Sequence, residues 1–119
     1  MSKALRVADY LAHMLNAMER IARYTADMDQ TAFLHSELVQ DAVIRNIEIL
    51  GEASNNIQRA APEFAAQHDD IPWLVIYTMR NRVSHGYDKV DLPLVWKTVR
   101  DDLPALQARI KALRASIPS

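Results

Sequence analysis

The feature that most constrains this chain is a hydrophobic repeat in steps of three and four along most of its length. Toward the C-terminal end, Leu92, Val95, Val99, Leu103, Leu106, Ile110, Leu113 and Ile117 keep that spacing without a gap. An α-helix turns once every 3.6 residues, so such positions fall on one side of it, whereas a half-buried strand would alternate every second residue. Val7, Leu11, Met14, Met18 and Ile21 draw the same stripe near the N-terminus, and Val39, Val43, Ile47, Leu50 and Ile57 draw it in the middle. Punctuation is sparse, with two glycines, Gly51 and Gly86, against 17 alanines. The pattern predicts an all-α chain.

Its segmentation follows from where the stripes stop. A first helix is expected over residues 3–28, with a second apolar stripe of Leu5, Ala8, Ala12, Leu15 and Ala22 beside the main one. So wide an apolar face calls for contact on two sides, either with the core and a partner or with two neighbouring helices. Residues 27–31 are polar and read as a break. A second helix runs from about Ser36 to Arg59, with Glu37, Asp41, Arg45, Glu48, Glu52 and Arg59 on its polar face and Arg45 spaced to pair with Glu48. Gly51 inside it costs about 1 kcal/mol relative to alanine, which a close approach by another helix or space beside a site would explain. Residues 60–70 hold Pro62 and a short helical turn. A third helix runs from Pro72, suited to a first turn, to about Ser84, where Gly86 stops it. Asp91 caps the fourth, and Pro104 must interrupt or kink it near residues 101–103. The expected architecture is an antiparallel bundle of four main helices with smaller helical pieces between them, forming one domain over residues 1–119.

Composition removes several functional classes. Fourteen basic and fifteen acidic side chains leave a net charge of −1, which excludes a strongly cationic nucleic-acid binder but not a local basic patch. Without cysteine there is no disulfide, thiolate metal site or cysteine nucleophile. Two glycines are too few for a phosphate loop or a dinucleotide-binding fingerprint. No apolar run approaches the ~20 residues of a spanning helix and no export signal is visible, so no membrane association is expected and the cytoplasm is the default location.

The chemistry concentrates in Arg80-Asn81-Arg82-Val83-Ser84-His85-Gly86-Tyr87. An imidazole with an ordinary pKa near 6.5 exchanges protons at neutral pH. A guanidinium stays cationic and grips phosphate through two donors. Together they meet the needs of metal-free RNA cleavage, in which one group moves a proton and the other stabilises the doubly charged phosphorane. Geometry adds a condition. On an uninterrupted helix Arg80 and His85 stand about 140° apart, so they converge only if the helix ends near Ser84 or a second subunit completes the site. Arg82 and His85 lie on one face. Spacing alone fits equally a solvated basic helix end, where the helix dipole favours cations.

This segment resembles the Arg-x4-6-His motif of HEPN-domain ribonucleases, in the Arg-x4-His-x-Tyr form of the HepT toxins. Ile49-Leu50-Gly51-Glu52-Ala53, Ile71-Pro72-Trp73, and the stretch from Asp91-Leu-Pro-Leu-Val-Trp96 to Asp102-Leu-Pro104 are similar to the family in the same order, so the resemblance spans nearly the whole chain. It implies a HEPN-like fold and a homodimer whose motifs face each other across a cleft, to which the surplus apolar face of the first helix would contribute. It implies that Arg80 and His85 are catalytic, with His85 in proton transfer and Arg80 on phosphate, and that mRNA or tRNA is cut without a metal or other cofactor. Asn81 and Arg82 are candidate substrate contacts. Tyr87 is the expected site of AMP transfer from ATP by a minimal nucleotidyltransferase antitoxin. The adduct would place bulk and negative charge beside His85 and Arg80.

Other candidates are weaker. His13, His35 and His68 lack metal-ligand spacing with carboxylates. Asp69-Asp70 and Asp101-Asp102 read as solvated helix starts. Glu52 is expected to bridge to Arg80 or Arg82, or to line the cleft. Trp73, Tyr77 and Trp96 read as core or interface aromatics, any of which could stack on a base if it lined a cleft. Two alternatives to the toxin ribonuclease stay open: a non-catalytic helical partner of a nucleotidyltransferase that binds a nucleotide or substrate, and a dimeric scaffold with a decayed site.

Overall fold

The computed structural model describes residues 3–83 and 89–117. Helix α1 spans Lys3–Thr25, α2 Gln30–Leu34, α3 Glu37–Ala60, α4 Pro62–Gln67, α5 Trp73–Val83, α6 Leu92–Lys97 and α7 Leu103–Ala115, with a π-helical turn, Thr98–Asp102, joining the last two. The four main helices are therefore α1, α3, α5 and the α6–α7 run, as the periodicity predicted.

Local chemistry sets the boundaries. The polar break after α1 is shorter than expected. The Asp29 carboxylate accepts the Ala32 amide at 2.8 Å and starts α2, which buries Phe33 completely. Ser36 caps α3 through the Val39 amide. Pro62, without an N–H, ends α3 and occupies the first turn of α4. Helix α5 starts one residue later than Pro72, whose carbonyl accepts the Ile76 amide at 2.9 Å. Asp91 caps α6 by accepting from the Leu94 amide at 3.1 Å.

The disturbance from Pro104 lies about one turn earlier than the ring itself. A proline cannot donate to the carbonyl four residues back, here Arg100, and its ring crowds that carbonyl. The helix answers by widening to a π turn, in which the Leu103 amide bonds to Thr98 oxygen five residues back. The apolar stripe survives this insertion, with Val95, Val99, Leu103, Leu106, Ile110 and Leu113 all buried.

One core binds the helices together. Val7, Leu11, Met14, Met18 and Ile21 of α1 are at most 2% exposed and pack with Val43, Ile47, Leu50 and Ile57 of α3. Helix α1 also packs along α7. Arg114 reaches the Ala8 carbonyl at one end, while Thr25 and Leu103 line a small pocket at the other, so the two helices run antiparallel. The second stripe of α1 is accordingly half-buried at Ala8, Ala12 and Leu15. Two neighbouring helices of the same chain thus cover the middle of the wide α1 face, while Ala22 of the second stripe stays exposed. Large apolar side chains stand exposed at Leu74, Val75 and Tyr77 on α5, at Leu38 on α3 and at Tyr24 near the end of α1.

Candidate active site

The candidate site is built on the seam between α3 and α5. Three rungs set its register. Buried Ser54 donates from Oγ to the Trp73 carbonyl at 2.7 Å. Gly51 faces the backbone of Ile76 and Tyr77, and a Cβ there would stand 3.0 Å from the Tyr77 carbonyl oxygen. Glu48 accepts from Arg80 Nε at 2.7 Å. Positions 48, 51 and 54 are three apart on one face of α3, and their partners climb α5 in the opposite direction, so the helices are antiparallel. Both sequence-level explanations of Gly51 meet here, because the close approach it permits is also what brings the motif helix onto Glu48.

The start of α5 is pinned as well. Trp73 Nε1 donates to the carbonyls of Ala65 and His68 at 3.1 and 3.2 Å, tying the helix to the end of α4. The helix that carries Arg80 is therefore positioned by backbone and buried contacts at Trp73, Ile76 and Tyr77, and its guanidinium by the more open pair with Glu48.

At the open end of the seam, Glu48, Glu52, Tyr77, Arg80 and Asn81 line a depression of about 380 Å³. Glu48 shares its carboxylate between two guanidinium groups, Arg80 at 2.7 Å on Oε1 and Arg45 at 3.6 Å on Oε2. The side chain of Arg80 stays 46% exposed. An ion pair that open contributes about 1 kcal/mol or less to stability. Its consequence is orientation, since holding a guanidinium by Nε fixes the plane of its fork.

The motif residues divide between two sides of α5. Arg80 and Asn81 line this depression together. Arg82 does not. Two residues turn the helix by about 200°, and Arg82 faces a separate groove of about 450 Å³ between α5 and the α6–α7 run, where Asp101, Asp102 and Arg109 form the other wall. His85 and Tyr87, with Gly86 as the expected helix stop, lie outside the described residues.

Sequence reasoning missed Glu48 as the partner of Arg80. The acid named for that bridge, Glu52, lines the depression instead and carries no hydrogen bond or ion pair among the described residues. The usable signal was Gly51. A glycine inside a helix marks the face on which a neighbour rides close, and Glu48 is one turn away on that face. The pairing of Glu48 with Arg45 was legible because it is local.

The three aromatics separate cleanly. Trp73 is buried. Trp96 is buried against Phe33 and covered by the Arg100 guanidinium at 4.7 Å. Tyr77 alone of the three is open, at 44% exposure, and lines the depression beside Arg80. Among the described residues no three His, Asp or Glu side chains group as a metal site. His35 Nδ1 is engaged with the Thr31 carbonyl and His68 packs on Phe64.

Comparison with known proteins converges on the same segment of sequence space. The profile of the family described as "Ribonuclease HepT-like" matches residues 14–113. A protein of Thermococcus cleftensis named "Probable ribonuclease HepT" is 40% identical over 106 residues, covering 89% of this chain and 94% of that one. A "Gamma-glutamylcyclotransferase and putative RNase" of Methanocaldococcus jannaschii is 42% identical over 101 residues, which are 85% of this chain but 44% of that longer protein. No solved structure matches. Among the described residues no helix is long and apolar enough to cross a membrane. With a family match over most of its length and a 40% identical relative that it covers almost completely, the chain belongs to the HepT-like ribonuclease family.

Proposed function

We propose that this protein is a metal-independent endoribonuclease acting on mRNA or tRNA, and the toxin of a toxin–antitoxin pair. The observation that carries the reading is the setting of Arg80, which stands in the last turn of a helix locked in register by Gly51 and Ser54 and is held by Glu48 at the edge of an open depression. A cation oriented in advance stabilises a developing phosphorane without reorganising as charge builds. In the reaction, the 2′-OH loses its proton to a general base and its oxygen bonds to the adjacent phosphorus. The bond to the 5′-oxygen breaks, and that oxygen takes up a proton. The products are a 2′,3′-cyclic phosphate and a 5′-OH. His85 moves the protons, Arg80 binds the phosphoryl oxygens, and Asn81 positions the strand.

The active form is a homodimer. Leu74 and Val75 stand outward on α5 at 62% and 43% exposure, Val75 at the edge of the groove. Covering them with a second copy would remove apolar surface from water and bring two copies of the motif helix to one cleft. Silencing follows from AMP transfer. The Tyr87 phenol oxygen, losing its proton, attacks the α-phosphorus of ATP held by a minimal nucleotidyltransferase, and pyrophosphate leaves. Phosphate charge beside Arg80 then competes with RNA.

The decisive experiment is cleavage of RNA in EDTA. Wild type should release products ending in a cyclic phosphate, and Arg80→Ala and His85→Ala should each lower cleavage by about a hundredfold or more while remaining folded dimers. Full cleavage by either variant overturns the assignment. Tyr87→Phe should cleave but resist AMP labelling, and persistent labelling would move the modification elsewhere.

A further inference from the structure

We infer that the depression on the α3–α5 seam is a guanine subsite, in which Tyr77 stacks on the base and Glu52 and Asn81 read its edge; this rests on the ribonuclease reading above. Three observations point there. Among the described residues Tyr77 is the one open aromatic beside Arg80, and single-stranded RNA is read chiefly by stacking unpaired bases on such rings. The depression, at about 380 Å³, falls in the size range of small-molecule sites. The third is electrostatic. Glu48 is compensated between Arg45 and Arg80, but Glu52 on the next turn has no cationic or hydrogen-bonding partner among the described residues. A bare carboxylate repels a phosphate backbone. It favours a base edge that donates to it.

Guanine is the base whose edge matches this wall. Its N1–H and N2–H donors lie side by side and suit the two oxygens of one carboxylate, and the neighbouring O6 accepts from an amide such as Asn81. Adenine and cytosine each offer a single amino group beside a ring acceptor that a carboxylate opposes. Tyr77, Arg80 and Asn81 are three and four residues apart on α5, so ring, phosphate contact and amide share one face, while Glu48 and Glu52 face them from α3. The subsite would take the base next to the phosphate that Arg80 holds.

The test uses oligouridylates carrying a single guanosine, adenosine, cytidine or inosine. Wild type should cut beside guanosine about tenfold or more faster than beside adenosine, with inosine intermediate because it lacks the 2-amino group. Glu52→Gln should collapse that preference, since an amide puts a donor where guanine also donates. Tyr77→Ala should raise KM about tenfold at every base with a smaller change in kcat, and Tyr77→Phe should restore it. Equal cutting at all four bases by wild type, or an unchanged preference in Glu52→Gln, overturns the inference. So does a Tyr77→Ala defect that sedimentation traces wholly to loss of the dimer. Should no RNA be cut at all, the ribonuclease reading fails by itself, and binding of 3′-GMP against 3′-AMP by calorimetry judges the subsite. A tenfold preference for 3′-GMP supports it and equal affinity sinks it.

Discussion

Arg80 and Arg82 sit two residues apart on one helix, carry the same charge and are both open to solvent, yet their surroundings have little in common. On the Arg80 side, α5 rides on backbone-to-backbone contact with Gly51, a buried hydroxyl bond at Ser54 and a carboxylate at Glu48. On the Arg82 side, α5 faces a wider groove toward the α6–α7 run, walled by Asp101 and Asp102 at the π turn. One side is a fixed seam that orients a cation. The other is an open trough lined by two acids and a second arginine, Arg109. The difference teaches that a basic motif is not one patch: helical rotation hands each arginine to a different neighbour, and among the described residues only Arg80 meets a partner that holds it in place.

This contrast can be broken most directly by deleting each cation in turn. Arg80→Ala should lower RNA cleavage by about a hundredfold to a thousandfold, the scale of losing a preorganised donor to transition-state charge. A comparable loss in Arg82→Ala would erase the distinction. Next in size, Gly51→Val should destabilise the fold by about 1–3 kcal/mol, because its Cβ meets rigid backbone at Tyr77 rather than a flexible side chain that could yield. Thermal unfolding measures that cost, and a Tm equal to wild type would show the seam to be looser than described. Glu48→Gln sharpens the comparison by separating orientation from stability. Unfolding should shift by about 1 kcal/mol or less, since the pair is open to solvent. Cleavage should nevertheless fall about tenfold, corresponding to about 1.4 kcal/mol in the barrier. Parallel, equally small losses in both would reduce Glu48 to an ordinary surface acid. Smallest of all, Arg82→Ala should change cleavage less than about threefold, and its effect should shrink as salt is raised, as expected of a screened surface charge.

The lessons for reading such a chain lie in particular residues. The stripe from Leu92 to Ile117 was fully legible, and even the strain at Pro104 was anticipated, although the widened turn falls at Thr98–Asp102 because the missing hydrogen bond belongs to the carbonyl four residues upstream. Capping by Asp91 was equally plain. The apolar excess of α1 was legible as a demand for two neighbours but not as a choice between them. Both neighbours, α3 and α7, come from the same chain, and the run of exposed apolar side chains, Leu74, Val75 and Tyr77, stands on α5. At the site, Arg80 was named from its motif, whereas its ion-pair partner lies 32 residues away and was assigned to Glu52, one turn off.

What the sequence determined alone is whatever depends on neighbours within a turn or two: helix periodicity, caps, the proline disturbance, the local Arg45–Glu48 pair, and the order of motifs that marks the family. What only the tertiary structure decided is which faces meet. The register of α5 on α3 is set by the size of one residue, Gly51, and by a single buried hydroxyl, Ser54. Those contacts put Tyr77 in the open beside Arg80, keep Trp73 inside and turn Arg82 away, while Trp96 is buried separately against Phe33. Periodicity says that a helix has an inside and an outside, but a long-range contact depends on the relative rotation and offset of two helices, and neither is written in the spacing of either one.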